Sequence, residues 1–343
     1  MNNRKQRFAF LVYLSQIILF NVYIQEVNMG KKQITILIFC LMLFTASSAL
    51  ALTKTAEYVD EDGKIKAQEC IVIESGDNWT FETDTWYLAE GQCEILNRIK
   101  TEAKKSTPAY LILADGAELR VPKGIYVSNE NGLTIYGQKM SSGQLVITEP
   151  SRSKAGIGAN YSGYCGNITI NGGIIKAQGG QYAAGIGGGF GGGIHGTITI
   201  HNGTVTAAGG ESGAGIGTGR QGSNGGSIYI TGGKVTAVGG SGGAGIGTGY
   251  KAEGAIDKLI LNGMLVTAKA GKNTRNDIGA GYRTSYGITY IVDSSHKYPL
   301  PGAIPPLPKT GDENKLLLWG LLMVISSMTF LGIITHSKKK DRT

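Results

Sequence analysis

The sequence is short of the residues on which metal and acid–base chemistry depend. Its 343 residues include 25 Asp and Glu, 4 His and 4 Cys, which leaves few side chains for a metal cluster or a pair of catalytic carboxylates. Proline is also scarce at 8 residues, whereas glycine reaches 54. Because these glycines follow no Gly-X-Y period, collagen is excluded, and the shortage of proline argues against a disordered Pro/Gly-rich tract.

Long apolar runs occur only near the two ends, and the first has the form of a secretory signal. Two lysines precede it, and Ala49 and Ala51 supply the small-x-small pattern that signal peptidase recognises. We expect residues 29–51 to be a signal peptide cleaved after Ala51; a retained membrane anchor is the alternative. Residues 1–28 repeat the basic and apolar pattern, so either the signal is unusually long or translation begins at Met29, which makes 1–28 a mis-assigned extension.

The second apolar run lies in the C-terminal segment 307–343, which has three parts in a fixed order. They are a pentapeptide, an apolar segment at 316–334 and a basic tail. The pentapeptide is Leu307, Pro308, Lys309, Thr310 and Gly311. The apolar segment is long enough to span a bilayer, and the positive-inside rule places the basic tail in the cytoplasm, so the pentapeptide would lie just outside the membrane.

This order of parts resembles the sorting signal of Gram-positive cell-wall proteins, the LPxTG substrates of sortase. The resemblance implies transient membrane insertion through the C-terminal helix and cleavage between Thr310 and Gly311 by a sortase transpeptidase. Thr310 would then be joined covalently to peptidoglycan, which makes the protein secreted and anchored to the cell wall. A plain C-terminal membrane anchor with a chance pentapeptide is the alternative.

The middle of the chain is a repeat with a period of about 30 residues. Ala-Gly-Ile-Gly recurs at 155–158, 184–187, 214–217 and 244–247, with a degenerate copy at 277–279. Each copy is followed by an alternating apolar run, a polar turn with glycine, and a second short apolar run. One such triplet of strands cannot cover its own apolar face, but stacked copies pair every strand with its counterpart about 4.8 Å away. The pattern therefore predicts an all-β fold, a right-handed single-stranded parallel β-helix with coils of about 30 residues.

The sequence patterns along the chain set the expected domain boundaries. Residues 52–92 are expected to form an N-terminal cap and first coil, residues 93–293 the β-helix with Gly-Ile-Gly repeats from 155, and residues 294–306 a proline-containing spacer. The Lys-rich stretch 98–105 is expected to be a loop that bulges from a turn. The motifs between 79 and 292 resemble bacterial surface β-helix proteins, some of which are carbohydrate-binding modules. Because these motifs are mostly structural, the resemblance implies the fold far better than the ligand.

The predicted mature chain contains three cysteines, an odd number for an exported protein. Cys70 and Cys93 could form a disulfide. Alternatively they could, like Cys165, be buried thiols stacked in a core. The sequence leaves both arrangements open, because spacing alone does not fix disulfide geometry.

One column of the repeat combines aromatic rings with an arginine. The residues four positions after each repeat isoleucine are Tyr161, Phe190, Arg220, Tyr250 and Tyr282. Stacked coils would align them into a stripe with one planar group per coil. Sugars stack on such rings, and the arginine could bind a carboxylate or sulfate, so we predict a glycan-binding stripe. The alternative is that the rings stack on one another to cover a glycine-rich turn.

A second column is polar, with the members Asn171, His201, Thr231 and Asn262. These side chains can bond to neighbours or to the local backbone, which is typical of a turn ladder. No metal ligand set and no cofactor motif is expected. Between 151 and 290 the only acids are Glu211, Glu253, Asp257 and Asp277, and they share no column, so we predict no catalytic site.

The sequence thus favours a secreted, wall-anchored surface protein whose β-helix is a non-catalytic glycan-binding or adhesive module. The surplus of lysine and arginine could attract anionic wall polymers or polysaccharides, or could simply keep strand edges soluble. Export argues against nucleic acid as a partner. One alternative is a structural wall or biofilm component without a specific ligand. Another is a polysaccharide lyase or hydrolase, which would need Glu253, Asp257 or an upstream acid such as Asp115 to converge in a groove.

Overall fold

Parallel pairing between successive coils organises the chain. The computed structural model describes residues 52–102, 107–262, 265–274 and 276–293. Four predicted features lie outside the described residues, namely the extension 1–28, the signal peptide 29–51, the spacer 294–306 and the sorting segment 307–343. Within the described ranges, no helix is long and apolar enough to cross a membrane.

Short strands make up the described structure. The first twelve are β1 (Thr53–Val59), β2 (Ile65–Val72), β3 (Thr80–Glu82), β4 (Trp86–Ala89), β5 (Gln92–Glu94), β6 (Ile99–Glu102), β7 (Ala109–Leu113), β8 (Glu118–Arg120), β9 (Ile125–Tyr126), β10 (Gly132–Gly137), β11 (Gln144–Ile147) and β12 (Ile157–Gly158). The next thirteen are β13 (Asn167–Ile170), β14 (Ile174–Gln178), β15 (Ile186–Gly187), β16 (Thr197–Ile200), β17 (Thr204–Ala208), β18 (Ile216–Gly217), β19 (Ser227–Ile230), β20 (Lys234–Val238), β21 (Ile246–Gly247), β22 (Ile256–Leu261), β23 (Leu265–Lys269), β24 (Ile278–Gly279) and β25 (Ile288–Asp293).

Three sheets run the length of the described domain. The first sheet has the order β1-β2-β4-β7-β10-β13-β16-β19-β22-β25, the second β5-β8-β11-β14-β17-β20-β23, and the third β3-β6-β9-β12-β15-β18-β21-β24. From β4 to β24 each coil gives one strand to each sheet. The hairpin of β1 and β2 is antiparallel, and the other strand pairs are parallel. The fold is therefore an all-β parallel solenoid, as the sequence predicts; its handedness stays a prediction.

Coil length changes along the chain. In the first sheet Trp86 pairs with Tyr110, 24 residues later, and Tyr110 pairs with Thr134 after another 24. The predicted period of about 30 is met from Ile168, which pairs with Ile198. The longer coils carry additional residues in the two connections that flank each strand of the third sheet.

Alternate residues of the strands line a continuous apolar axis. Strands of the first sheet contribute isoleucine pairs in successive coils, the second sheet contributes isoleucine or valine, and the third contributes the isoleucine of each Ala-Gly-Ile-Gly motif. All of them are fully buried: Ile157, Ile168, Ile170, Ile175, Ile186, Ile198, Ile200, Val205, Ile216, Ile228, Ile230, Val235 and Ile246. Burying one such side chain stabilises the fold by about 1.5–3 kcal/mol, so stacking the coils supplies the main favourable energy.

The second glycine of the repeat motif is required by the backbone. The φ angles of Gly187, Gly217 and Gly247 are 126°, 140° and 139°, which L side chains rarely adopt. A Cβ atom on Gly217 would also lie 1.8 Å from the carbonyl oxygen of Gly247 in the next coil. In the long coils the third sheet can therefore pair this closely only because the column from Gly158 to Gly279 is glycine, whereas the two preceding coils have Lys100 and Tyr126 at this register position.

The N-terminal hairpin covers part of the outer face of the first sheet. Tyr58 of β1 packs against Trp86 and Tyr136, with ring centroids 4.8 and 4.6 Å away. The Gln138 side chain donates a hydrogen bond to the Glu57 carbonyl at 3.0 Å. The hairpin thus closes a second apolar cluster outside the axis.

The cysteines are buried thiols. Cys70, Cys93 and Cys165 are free and buried, so the disulfide alternative for Cys70 and Cys93 does not hold. Burial raises the pKa of Cys70 to about 11 and that of Cys165 to about 12. These thiols are therefore protonated at neutral pH and pack as small apolar groups.

The stretch expected to be a loop at 98–105 begins instead with strand β6. Arg98, directly before this strand, extends its guanidinium group along the coils above it. Nη1 donates to the carbonyls of Lys123 and Ala155 at 2.8 and 2.7 Å, and Nη2 donates to those of Ile125 and Gly158, each at 3.1 Å. Burial lowers the pKa of Arg98 to about 9. The side chain ties three coils together at the point where the short coils give way to the long ones.

We predict that Gly217→Ala destabilises the chain by about 2–5 kcal/mol, because it forces a strained φ and a backbone clash in the third sheet. Gly163→Ala is the matched control, since its φ lies outside the left-handed region and the nearest atom to its Cβ is 3.6 Å away. Urea unfolding followed by circular dichroism measures both. Equal losses of stability in the two variants would contradict the account.

Candidate ligand-binding ladder

The two connections flanking each strand of the third sheet lie side by side. The Ala184 N–H donates to the Gly188 carbonyl across the base of the pair at 3.0 Å, and Ala214 donates to Thr218 at 3.1 Å. Neighbouring coils are joined in the same way, because Arg220 N–H donates to the Tyr182 carbonyl at 2.8 Å. We call these segments the paired loops: 151–154 with 159–163, 179–183 with 188–192, 209–213 with 218–222, 239–243 with 248–252, and 270–274 with 280–284.

The predicted column forms one continuous stack on the paired loops, here called the aromatic ladder. Tyr161 stacks on Phe190 with ring centroids 5.4 Å apart and planes 19° from parallel. The Arg220 guanidinium carbon lies 5.8 Å from the Phe190 centroid and 5.3 Å from that of Tyr250. Tyr250 and Tyr282 follow with centroids 5.8 Å apart. The structure thus brings all five residues together.

The ladder is partly open to solvent. Tyr161 is 61% exposed and Tyr282 is 38% exposed, and the three residues between them are half-buried. The rings therefore contact one another and also present accessible faces or edges. Both readings of the column, a cover over the turn and a platform for a ligand, are consistent with part of this arrangement.

Sequence reasoning missed a ring and three cations beside the ladder. Tyr182 lies on the other member of the paired loops, 5.6 Å from Phe190. The guanidinium carbon of Arg152 lies 4.5 Å from the Tyr182 centroid, and that of Arg220 lies 5.2 Å from it, so the ring has two arginine neighbours. Arg152 also donates to the Tyr182 hydroxyl. The corresponding positions in the next two coils are Ser212 and Gly242, so no aromatic column signals Tyr182 in the sequence.

Lys251 and Arg283 are the other two cations missed. The Lys251 ammonium lies 5.6 Å from the Tyr250 ring, and the Arg283 guanidinium lies 5.4 Å from the Tyr282 ring. Hydrogen bonds to the hydroxyls of Tyr282 and Tyr250 raise the pKa of Arg283. Both residues could have been found from their position in the sequence, because each directly follows a ladder tyrosine.

The four cations beside and within the ladder have no acidic partner in the part of the chain that the structure describes. Within the described residues, no carboxylate forms an ion pair with Arg152, Arg220, Lys251 or Arg283. Nε of Arg220 is buried and lacks a hydrogen-bond partner among those residues. Glu211 lies in the same loop pair as Arg220 but accepts a hydrogen bond from Gln181 at 2.8 Å. The ladder therefore carries positive charge that its own loops leave unpaired.

The residue after each ladder position has a left-handed backbone. The φ angles are 50° at Ser162, 69° at Gly191, 52° at Gln221, 51° at Lys251 and 56° at Arg283. A non-glycine residue in this region costs about 1–2 kcal/mol. In a chain so rich in glycine, the presence of polar and charged side chains at four of these five sites indicates that the side chains themselves have a use.

The residues of the second predicted column lie directly after the strands of the first sheet, and they form a structural ladder. His201 Nδ1 and the Thr231 hydroxyl are 2.8 Å apart. The backbone N–H of Asn262 donates to the Ile230 carbonyl at 3.0 Å, and Asn171 is buried. These contacts link one coil to the next.

The acids named for catalysis do not form a metal site. No group of three His, Cys, Asp or Glu side chains in the described ranges could hold a metal ion. Asp115 accepts hydrogen bonds from the backbone N–H groups of Met140 and Ser142 at 3.0 and 3.1 Å, which fixes the turn of the following coil. Its carboxylate therefore has a structural role.

Comparison with known proteins bears on the fold. A model of the beta helix repeat family matches residues 168–190, 198–220 and 228–250. The central coils are β-helix repeats. Each matched unit begins at a buried isoleucine of the first sheet and ends at a ladder residue. The three units end at Phe190, Arg220 and Tyr250. No curated protein and no solved structure gives a significant match.

We predict that Tyr161→Ala changes the free energy of unfolding by less than about 0.5 kcal/mol, because its ring is largely exposed. Ile216→Ala, which truncates a fully buried side chain of the same sheet region, is expected to cost about 2–5 kcal/mol. Urea unfolding compares the two. A loss above about 2 kcal/mol for Tyr161→Ala would mean that the ladder serves mainly to cover the loops.

Proposed function

We propose that this protein is a secreted, cell-wall-anchored protein of a Gram-positive bacterium whose β-helix binds glycans through the aromatic ladder. The observation that carries the binding proposal is the solvent-accessible stack of rings around Arg220, whose guanidinium has no acidic partner in the described residues. Sugar rings bind flat apolar surfaces that have hydrogen-bond donors at their edges, and the ladder offers both. Two of the strained residues beside it support the same interpretation, since Lys251 and Arg283 each place a cation over a ladder ring.

The role we propose is non-catalytic. Hydrolysis of a glycoside generally needs two carboxylates that face each other across the bond. On the paired loops around the ladder, the charged groups that contact rings are cations. A binding or adhesive function accounts for this surface without a reaction.

A structural wall or biofilm component is the second candidate. The contact between rings in successive coils favours it, because mutual stacking would stabilise the loops without any ligand. The two candidates differ in one respect. Only a binding role predicts that removal of the rings abolishes an interaction while leaving the fold intact.

Sequence features at the two ends of the chain support the proposed location in the cell wall. The signal peptide 29–51 would direct export, and the LPxTG-like pentapeptide with its apolar segment and basic tail would present Thr310 to a sortase. The short spacer 294–306 would keep the β-helix close to the peptidoglycan. An adhesive module at this position would meet wall polymers and extracellular polysaccharides.

We expect the full chain, purified in mild detergent, to be retained by at least one member of a panel of immobilised neutral and acidic polysaccharides. The variant with Tyr161, Phe190, Tyr250 and Tyr282 changed to Ala should lose that retention and keep its circular dichroism spectrum, because the stacking surface is gone. The matched control changes the exposed Tyr164 and Tyr286, which lie off the ladder. Retention by no polysaccharide would favour the structural candidate.

We also expect Thr310→Ala, expressed in a sortase-positive Gram-positive host, to move the protein from the peptidoglycan fraction to the membrane fraction. The reason is that Thr310 would be the acyl donor in transpeptidation. Lys309→Ala is the control, since it occupies the variable position of the pentapeptide. Immunoblots of muralytic digests and membranes make the measurement, and unchanged wall attachment of Thr310→Ala would refute the anchoring proposal.

A further inference from the structure

Arginines that contact rings of the paired loops occur in every second coil along the chain. Arg152 belongs to the coil of Ile157, Arg220 to the coil of Ile216, and Arg283 to the coil of Ile278. The coils between them carry a ring at the ladder position, Phe190 or Tyr250. Since neighbouring parallel strands are about 4.8 Å apart, the backbone positions of successive arginines are separated by roughly 10 Å along the solenoid.

The rings hold these guanidinium groups without neutralising them. Arg152 and Arg220 both contact the Tyr182 ring, and Arg283 lies over Tyr282. An arginine stacked on a ring still has N–H groups at its edge, and these bind carboxylate or sulfate strongly. The buried Nε of Arg220, which has no partner in the described residues, leaves part of that donor set unused.

Other charges on the paired loops do not change this pattern. Lys251 adds a cation in the coil between Arg220 and Arg283, stacked on Tyr250. Lys154 and Lys272 also lie on the paired loops. Glu211 lies on them and Glu253 directly follows one, and neither acid forms an ion pair with the arginines among the described residues. The regular feature is one stacked guanidinium for every two coils.

We propose that the aromatic ladder selects an extended acidic polysaccharide with one anionic group, a carboxylate or a sulfate, on every second sugar. An extended sugar unit is about as long as one strand spacing, so a disaccharide matches two coils. Sugar faces would lie against the rings, and alternate anionic groups would meet successive arginines. This inference rests on the proposed glycan-binding function and adds the class of ligand.

The test measures the affinity of the full chain, in mild detergent, for four immobilised polymers. Hyaluronan carries a carboxylate on alternate sugars, and carboxyl-reduced hyaluronan has the same backbone without charge. Kappa-carrageenan carries a sulfate on alternate sugars, and polygalacturonate carries a carboxylate on every sugar. We expect hyaluronan, kappa-carrageenan or both to bind at least about tenfold more tightly than the neutral polymer, because each charged hydrogen bond adds to the affinity. They should also bind more tightly than polygalacturonate, because every second carboxylate of that polymer would lie at a coil without an arginine and would lose water on binding.

Two variants connect the selectivity to the arginines. Arg220→Gln with Arg283→Gln should reduce binding of the alternately charged polymer about tenfold, to the level of neutral hyaluronan, while binding of the neutral polymer stays unchanged. Arg283→Gln alone changes only an exposed residue and should give part of the loss of affinity. Because it leaves Arg220 in place, this part of the loss does not come from a folding defect at Arg220. Lys176→Gln with Lys234→Gln, on the outer face of the second sheet, is the control for net charge and should leave selectivity intact.

The contrary outcomes are distinguishable. Equal affinity for hyaluronan and its carboxyl-reduced form, with no preference for kappa-carrageenan, would overturn the acidic-ligand inference and leave glycan binding standing. Polygalacturonate binding as tightly as the alternately charged polymers would overturn the spacing argument. Binding of none of the four, together with no retention on the wider panel, would overturn the proposed function as well.

Discussion

The close approach between the backbones of neighbouring coils in the third sheet is the constraint on which the rest of the structure depends. In the third sheet the backbone at Gly217 lies so near the Gly247 carbonyl that no side chain fits between them. This contact recurs from Gly158 to Gly279, so each long coil must repeat the path of the one before it. Register is thereby fixed for the other two sheets, and a residue at a given repeat position always meets its equivalent in the next coil. The buried isoleucine stacks and the aromatic ladder both follow from this repetition.

The same constraint explains where the chain can vary. The axis is filled by closely packed apolar side chains, and changes of volume there are costly. The connections around the third sheet point away from the axis, and they grow longer after the first coils without disturbing the strands. Arg98 occupies the point of change, where its donors bind carbonyls of the next two coils and so join three successive coils. Functional side chains therefore accumulate on the paired loops, which a rigid stack holds at regular intervals.

Much of the fold and of the ladder could be predicted from the sequence, because residues at equivalent positions of a repeat become neighbours when the coils stack. The spacing of the Ala-Gly-Ile-Gly motifs is enough to infer three strands per coil, the buried isoleucines and the alignment of Tyr161 with Phe190 and Arg220. The period does not hold in the N-terminal coils, whose connections are shorter and lack the motif. Tyr182 and Arg152 could not be assigned to the ladder, because their proximity depends on the reversal that brings two loops side by side. The burial of Arg98 was equally hidden, since a basic residue beside lysines is typical of an exposed loop.

Deletion of one whole coil tests the central claim that stacked coils in register create both the fold and the ladder. Removing residues 198–227 takes out one 30-residue period, and removing residues 198–212 takes out half of one. The account predicts that the whole-coil deletion keeps its β-sheet circular dichroism and a single cooperative unfolding transition, with a modest loss of stability, whereas the half-coil deletion loses both. Retention of a cooperative fold by the half-coil deletion, or loss of it in both, would contradict the account.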